Sequence, residues 1–120
     1  MPSSRSVIVL LLSAPFLIGC GIVCNDETIR EFESPDRKYL ARVVLRGCGA
    51  TTPFFTQVHL RKQYWPGFSD IVVHVEGRQT IGVRWQQSTA LDVICKTCGQ
   101  QSIEASATWK GVRISVVVPK

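Results

Sequence analysis

From Glu27 onward the chain shows no helical periodicity. Apolar residues alternate in steps of two, in short runs separated by turn residues. A chain patterned this way buries the apolar side of each run only by forming sheets that pack on one another. Ser34-Pro35-Asp36 reads as a type I turn, with Pro35 presetting φ at its first central position. Tyr39, Ala41, Val43 and Leu45 then alternate with Leu40, Arg42, Val44 and Arg46, one face apolar and the other partly so. Gly47 to Pro53 is a small-residue loop around Cys48. Thr56, Val58 and Leu60 alternate with Gln57, His59 and Arg61, and the run breaks at Tyr64-Trp65-Pro66-Gly67. Ile71, Val73 and Val75 alternate with Val72, His74 and Glu76 up to Gly77. Ile81, Val83 and Trp85 form a further run, and Leu91, Val93 and Cys95 another. A single strand is expected over Ile103, Ala105, Ala107 and Trp109, then a hairpin turn at Lys110-Gly111 and a closing strand through Val112, Ile114, Val116 and Val118. The pattern predicts an all-β domain, a small antiparallel sandwich or barrel of about six to seven strands.

The residues before this domain follow the plan of an export signal. Arg5 precedes the apolar run Val7 to Leu12, which Ser13-Ala14-Pro15 softens and Phe16 to Ile18 resumes. Leu17, Ile18, Gly19 and Cys20 resemble the lipobox of bacterial lipoprotein signals. The resemblance implies that residues 1–19 are a signal peptide cleaved before Cys20, which carries the lipid. A thiolate is the nucleophile such a transfer requires, and two or more acyl chains hold a protein at a bilayer where one does so only marginally. The run from Val7 to Val23 is short of the ~20 apolar residues of a membrane span, and Pro15 interrupts it. Residues 20–26 then read as a lipidated tether and residues 27–120 as one β domain.

Five cysteines occur in 120 residues. With Cys20 committed to lipid, Cys24, Cys48, Cys95 and Cys98 suggest two disulfides in an oxidising compartment. Three pairings are open on sequence alone, and Cys24–Cys48 with Cys95–Cys98 is the expectation. The chain has 14 Lys and Arg against 9 Asp and Glu. The excess is mild and scattered, with no basic run, so no nucleic-acid partner is expected.

Ser34-Pro35-Asp36-Arg37-Lys38-Tyr39-Leu40-Ala41 and Cys48-Gly49-Ala50-Thr51-Thr52 resemble a family of uncharacterised small bacterial lipoproteins and exported proteins. That family has an SPDGKY-type turn followed by a strand and a CGATT loop. Thr56-Gln57-Val58, Val83-Arg84-Trp85 and Gly111-Val112-Arg113-Ile114 extend the likeness over most of residues 24 to 118. Arg37 stands where the pattern has Gly, a cost of ~1 kcal/mol if the position is left-handed. Cys95-Lys96-Thr97-Cys98 is an addition to the pattern. The resemblance supports the β fold and gives no activity.

Candidate sites are few. Cys95 and Cys98 have the spacing of a redox pair, but a strand precedes them where redox proteins place the thiol at a helix N-terminus. His59 and His74 are expected outward on neighbouring strands, as solvated residues with no third ligand for a metal. Arg42, Arg46, Arg61 and Arg84, read as outward, suggest a cationic patch for anionic envelope components. Gly49, Ala50, Thr51 and Thr52 form a turn or a small recognition loop, its threonines free to bond backbone. No catalytic set, metal site or cofactor motif is visible. The chain therefore reads as a non-enzymatic binding or structural module of the bacterial cell envelope. Its partners would be the membrane, through Cys20, and an envelope protein or anionic envelope component. In a host with two membranes, Gly21 after the lipidated cysteine points to the periplasmic face of the outer one. The alternatives are a thiol–disulfide redox protein using Cys95 and Cys98, and an inhibitor of a cell-wall hydrolase.

Overall fold

A computed structural model describes residues 24–64 and 67–120. The signal peptide, its cleavage motif, Cys20 and the first residues of the tether lie outside the described residues. Nine strands make up the described residues: β1 (Asn25–Glu33), β2 (Tyr39–Gly47), β3 (Phe55–Lys62), β4 (Asp70–Glu76), β5 (Ile81–Gln87), β6 (Ala90–Cys95), β7 (Ile103–Ala105), β8 (Thr108–Trp109) and β9 (Val112–Val117). They form two sheets, one ordered β1-β2-β3-β4-β7 and the other β5-β6-β9-β8, packed as a sandwich.

The alternation in sequence decides what lies between the sheets. Ala41 and Val43 on β2, Val58 and Leu60 on β3, and Val73 and Val75 on β4 meet Ile81, Val83, Leu91, Val93, Val112 and Ile114 from the second sheet. Leu60 and Leu91 are wholly buried, each worth about 1.5–3 kcal/mol of removed apolar surface. Two indoles tie the sheets near opposite edges. Trp85 Nε1 on β5 donates to the Phe32 carbonyl of β1 at 3.0 Å, and Trp109 Nε1 on β8 donates to Asp70 Oδ2 at the start of β4 at 2.7 Å.

The described residues hold nine strands where about six to seven are expected, and the structure departs from the sequence expectation in four places. The first strand begins at Asn25, so Asn25 and Asp26 belong to the domain and not to the tether. The single strand expected over residues 103–109 is two: β7 pairs with β4 in the first sheet, and β8 pairs with β9 in the second. The chain changes sheets between them, which local alternation does not record. On its return it enters the second sheet running the same way as β6, so β6 and β9 pair in parallel, in an otherwise antiparallel fold. Finally, the β3–β4 ladder shifts register between Val58 and His59. This bulge turns Ile71 out to 43% exposure and buries Val72 beside Val73.

Both turn signals take the form that their residues permit. Lys110 and Gly111 have φ of 45° and 81° between the paired Trp109 and Val112, which suits a two-residue hairpin. In the β1–β2 turn, Arg37 N donates to the Ser34 carbonyl at 2.9 Å, and Ser34 Oγ donates to Asp36 Oδ1 at 2.7 Å. Asp36 Oδ1 also accepts from Lys38 N at 3.1 Å. These bonds from Ser34 and the Lys38 amide hold the Asp36 carboxyl below its ordinary pKa. Arg37 itself is left-handed, with φ 62°. Its contact with Glu33 at 3.6 Å is solvent-exposed and contributes little. Arg37→Gly is therefore expected to stabilise the domain by ~1 kcal/mol, raising the melting temperature by several degrees. Calorimetry showing an equal or lower melting temperature would remove the strain argument.

Candidate functional site

β1 and β2 run nine residues each, while β5, the strand of the second sheet that faces them, runs seven. At about 3.3 Å per residue the first sheet overhangs it by about 7 Å. The overhang falls where β1 begins and β2 ends. Ala41 and Val43 are buried, but Leu45, next on the same face of β2, is only half-buried. This uncovered inner surface is the floor of a groove.

Its walls are built from loops. The structure joins Cys24 to Cys48, fastening the start of β1 to the loop that follows β2. That loop presents Gly49, Ala50 and Thr52 to a cavity of about 380 Å³, which Asn25, Glu27, Leu45, Gly47, Phe54 and Arg78 also line. Thr52 is committed to the turn, its N and Oγ1 both donating to the Gly49 carbonyl. The loop therefore offers backbone and Ala50 to a ligand and withholds the Thr52 hydroxyl, and Thr51 does not line the cavity. Phe54 lies against Gly47 so closely that a Cβ there would sit 2.8 Å from the ring. The Arg78 guanidinium stands over the other part of this assembly, 4.1 Å from the Phe54 ring centroid. Arg78 is set there by the connection after β4. Gly77 N donates to the Phe54 carbonyl, and Thr56 Oγ1 donates to the Gly77 carbonyl and accepts from Gln79 N. A second recess of about 220 Å³ shares Leu45 and Arg78 and reaches Ile29, Thr56, Gln79 and Thr80. Glu27 and Arg78 give the groove one charge of each sign, and Ile29, half exposed, gives it an apolar edge. Phe54, Arg78 and Glu27 are missed by sequence reasoning, because they converge from three separate segments and none carries a local signal.

Cys95 and Cys98 are also bonded to each other, and at 1% and 2% exposure they belong to the core. The segment between them is held by Lys96 N donating to the Thr80 carbonyl and by Thr97 Oγ1 accepting from Thr80 N. A thiolate has no open route to a buried disulfide of this kind, and a strand precedes the pair. The bond acts as a staple at the end of β6.

The outer face of the first sheet differs from expectation. His59 is not a solvated surface residue: it is 5% exposed, and its neighbour Gln57 is 1% exposed. His59 Nε2 lies 2.8 Å from Gln57 Oε1, while Gln57 Nε2 lies 2.9 Å from His74 Nδ1. The amide thus bridges the two imidazoles, donating to His74 and accepting from His59. Phe55 stacks on His74 at 4.5 Å. Among the described residues no three His, Cys, Asp or Glu converge to hold a metal ion. Burial, and then the Arg42 and Arg46 cations, push the His59 pKa below its ordinary value, with Asp26 opposing.

The four arginines do not assemble into one patch. Arg42, Arg46 and Arg61 are on the first sheet, but Arg84 is on β5 of the second. Arg46 is held by Asp26 through two bonds of 2.7 and 2.9 Å, which lower the Asp26 pKa and raise that of Arg46. Arg84 stands 4.0 Å from Asp92. A patch read from strand alternation fails because alternation assigns a face within a sheet and is silent on which sheet.

No family model, curated protein or solved structure matches the chain. The two disulfide bonds point to an extracytoplasmic protein.

Two outcomes follow from this arrangement. Replacing Cys24 and Cys48 together by serine releases a loop of 24 residues' separation. The expected loss is roughly 3–4 kcal/mol, with earlier proteolysis near Glu27. A double variant that melts and cleaves like the parent would show that the groove does not depend on this bond. For His59, the folded state resists a proton that the unfolded chain takes up near its ordinary pKa of about 6.5. Stability from this group is complete above that value and falls as pH drops through it towards the lower folded pKa. The melting temperature should decline between pH 7.5 and 5 in the parent and decline less in His59→Gln. Parallel profiles would refute the burial effect.

Proposed function

We propose that the chain is a lipid-anchored, non-enzymatic binding module of the bacterial cell envelope, and that the groove beside the Cys24–Cys48 bond is its membrane-proximal binding surface. The observation that carries this reading is the bond itself. It joins the start of β1 to the Gly49–Thr52 loop, and Cys24 follows Cys20 by four residues. Four extended residues reach at most about 14 Å. A lipid on Cys20 would therefore hold the groove close to the bilayer surface and limit its partners to membrane-associated ones. The lipobox-like Leu17-Ile18-Gly19-Cys20 and the oxidised cysteines support an exported, anchored protein. In a host with two membranes, Gly21 favours the outer one. The mixed chemistry of the groove, with Glu27, Arg78, Phe54 and Ile29, suits a partner that carries both charge and apolar surface.

Cys20→Ser is expected to leave an unprocessed precursor that takes up no labelled palmitate and is lost from the membrane fraction where the parent is found. Normal processing of that variant would end the lipoprotein reading.

A further inference from the structure

The end of the sandwich opposite the Cys24–Cys48 bond carries a separate recess, of about 360 Å³, lined by Lys38, Tyr39, Lys62 and Tyr64. Its frame is rigid. Tyr39 opens β2 and pairs with Lys62 at the end of β3, and Gln63 N donates to the Lys38 carbonyl at 2.8 Å. The Tyr39 ring is fixed edge-on against Trp109, with centroids 5.4 Å apart and planes at 77°. Tyr64 is 77% exposed, and Phe68, on the same connection, is 98% exposed. Tyr64 therefore leaves most of its ring open to a ligand beside the recess. Among the described residues neither Lys38 nor Lys62 forms an ion pair. The nearest carboxylate in sequence, Asp36, accepts from Ser34 and from the Lys38 amide, and the Lys38 charge lies near enough to help hold its pKa down without forming an ion pair.

We infer that this recess is a binding site for an anionic saccharide, a sugar ring bearing a carboxylate or phosphate. Two ammonium groups beside two phenol rings match such a ligand on both counts. The C–H face of a pyranose lies against an aromatic face, whose π cloud is electron-rich, and the phenol hydroxyls meet ring hydroxyls. The lysines form charge-assisted bonds with the acid group. The volume falls at the lower end of small-ligand sites, which run from about 300 to 1,000 Å³. Position favours a saccharide over a lipid surface. β1 runs nine residues from the disulfide to this end, about 30 Å of strand, so the recess lies at the end farther from Cys24 and from the bilayer to which Cys20 would fasten the chain. The orientation rests on the anchored reading, but the binding does not and is testable apart from it.

The test uses the full chain purified in detergent micelles and titrated by calorimetry with the N-acetylglucosaminyl–N-acetylmuramic acid disaccharide, its carboxyl methyl ester, glucose 1-phosphate and glucose. Each acid should bind about tenfold tighter than its neutral counterpart, and less tightly as salt rises. Whichever acid binds more tightly indicates a carboxylated or a phosphorylated source. Lys38→Met with Lys62→Met should abolish the preference for acid, while Tyr64→Ala should weaken acid and ester alike. Unchanged melting temperatures would show that these exposed substitutions leave the fold intact. Equal binding of acid and neutral forms, no binding of either acid at millimolar concentration, or a preference that survives the double lysine substitution overturns the inference. So does protection of Tyr64 and Phe68 from hydroxyl-radical footprinting by phosphatidylglycerol vesicles without saccharide binding, which would make this end a membrane contact.

Discussion

The sandwich depends on one contact, the burial of two alternating apolar faces against each other, and the tryptophans at its margins fix how those faces meet. Val58 and Leu60 opposite Leu91 and Val93 supply non-directional attraction. Such a contact alone permits sliding. Trp85 reaching the Phe32 carbonyl and Trp109 reaching the Asp70 carboxylate are directional and stand on opposite sides of the domain. Each indole N–H would carry a desolvation cost without its acceptor, so together they favour one relative placement of the sheets.

That placement creates the groove. β1 and β2 run two residues longer than β5, the strand that faces them, and the surplus is left uncovered at one end. Leu45 and Ile29 there have no facing layer, and the Phe54–Arg78 stack closes only one side. The Cys24–Cys48 bond then holds the free start of β1, an edge strand exposed along most of its length, against the rest of the sheet. In a domain of this size a staple compensates for the modest core.

The first sheet also shows how a polar residue survives on a central strand. Gln57 and His59 sit on β3, between β2 and β4, on the face away from the core. They are tolerated because Gln57 bonds one nitrogen of each neighbouring imidazole. Burial first, and then the Arg42 and Arg46 cations, hold the His59 pKa below its ordinary value.

Period-2 alternation and residues such as Pro35 and Gly111 act locally, so the all-β class, most of the core and both turns are legible in the sequence. Val43, Val58, Val75 and Leu91 are buried where alternation puts them. Which strands share a sheet depends on long-range pairing and is visible in the folded chain alone. Residues 103–109 alternate without interruption, yet they divide between two sheets, and β9 enters beside β6 in parallel. The bulge before His59 likewise exchanged Ile71 for Val72 in the interior, since register is set by the partner strand. Of the candidate site, Gly49 to Thr52 and the cysteines were legible as local motifs. Arg78 over Phe54, and Glu27 near both, were not, because their meeting depends on three chain segments packed by a core that none of them enters.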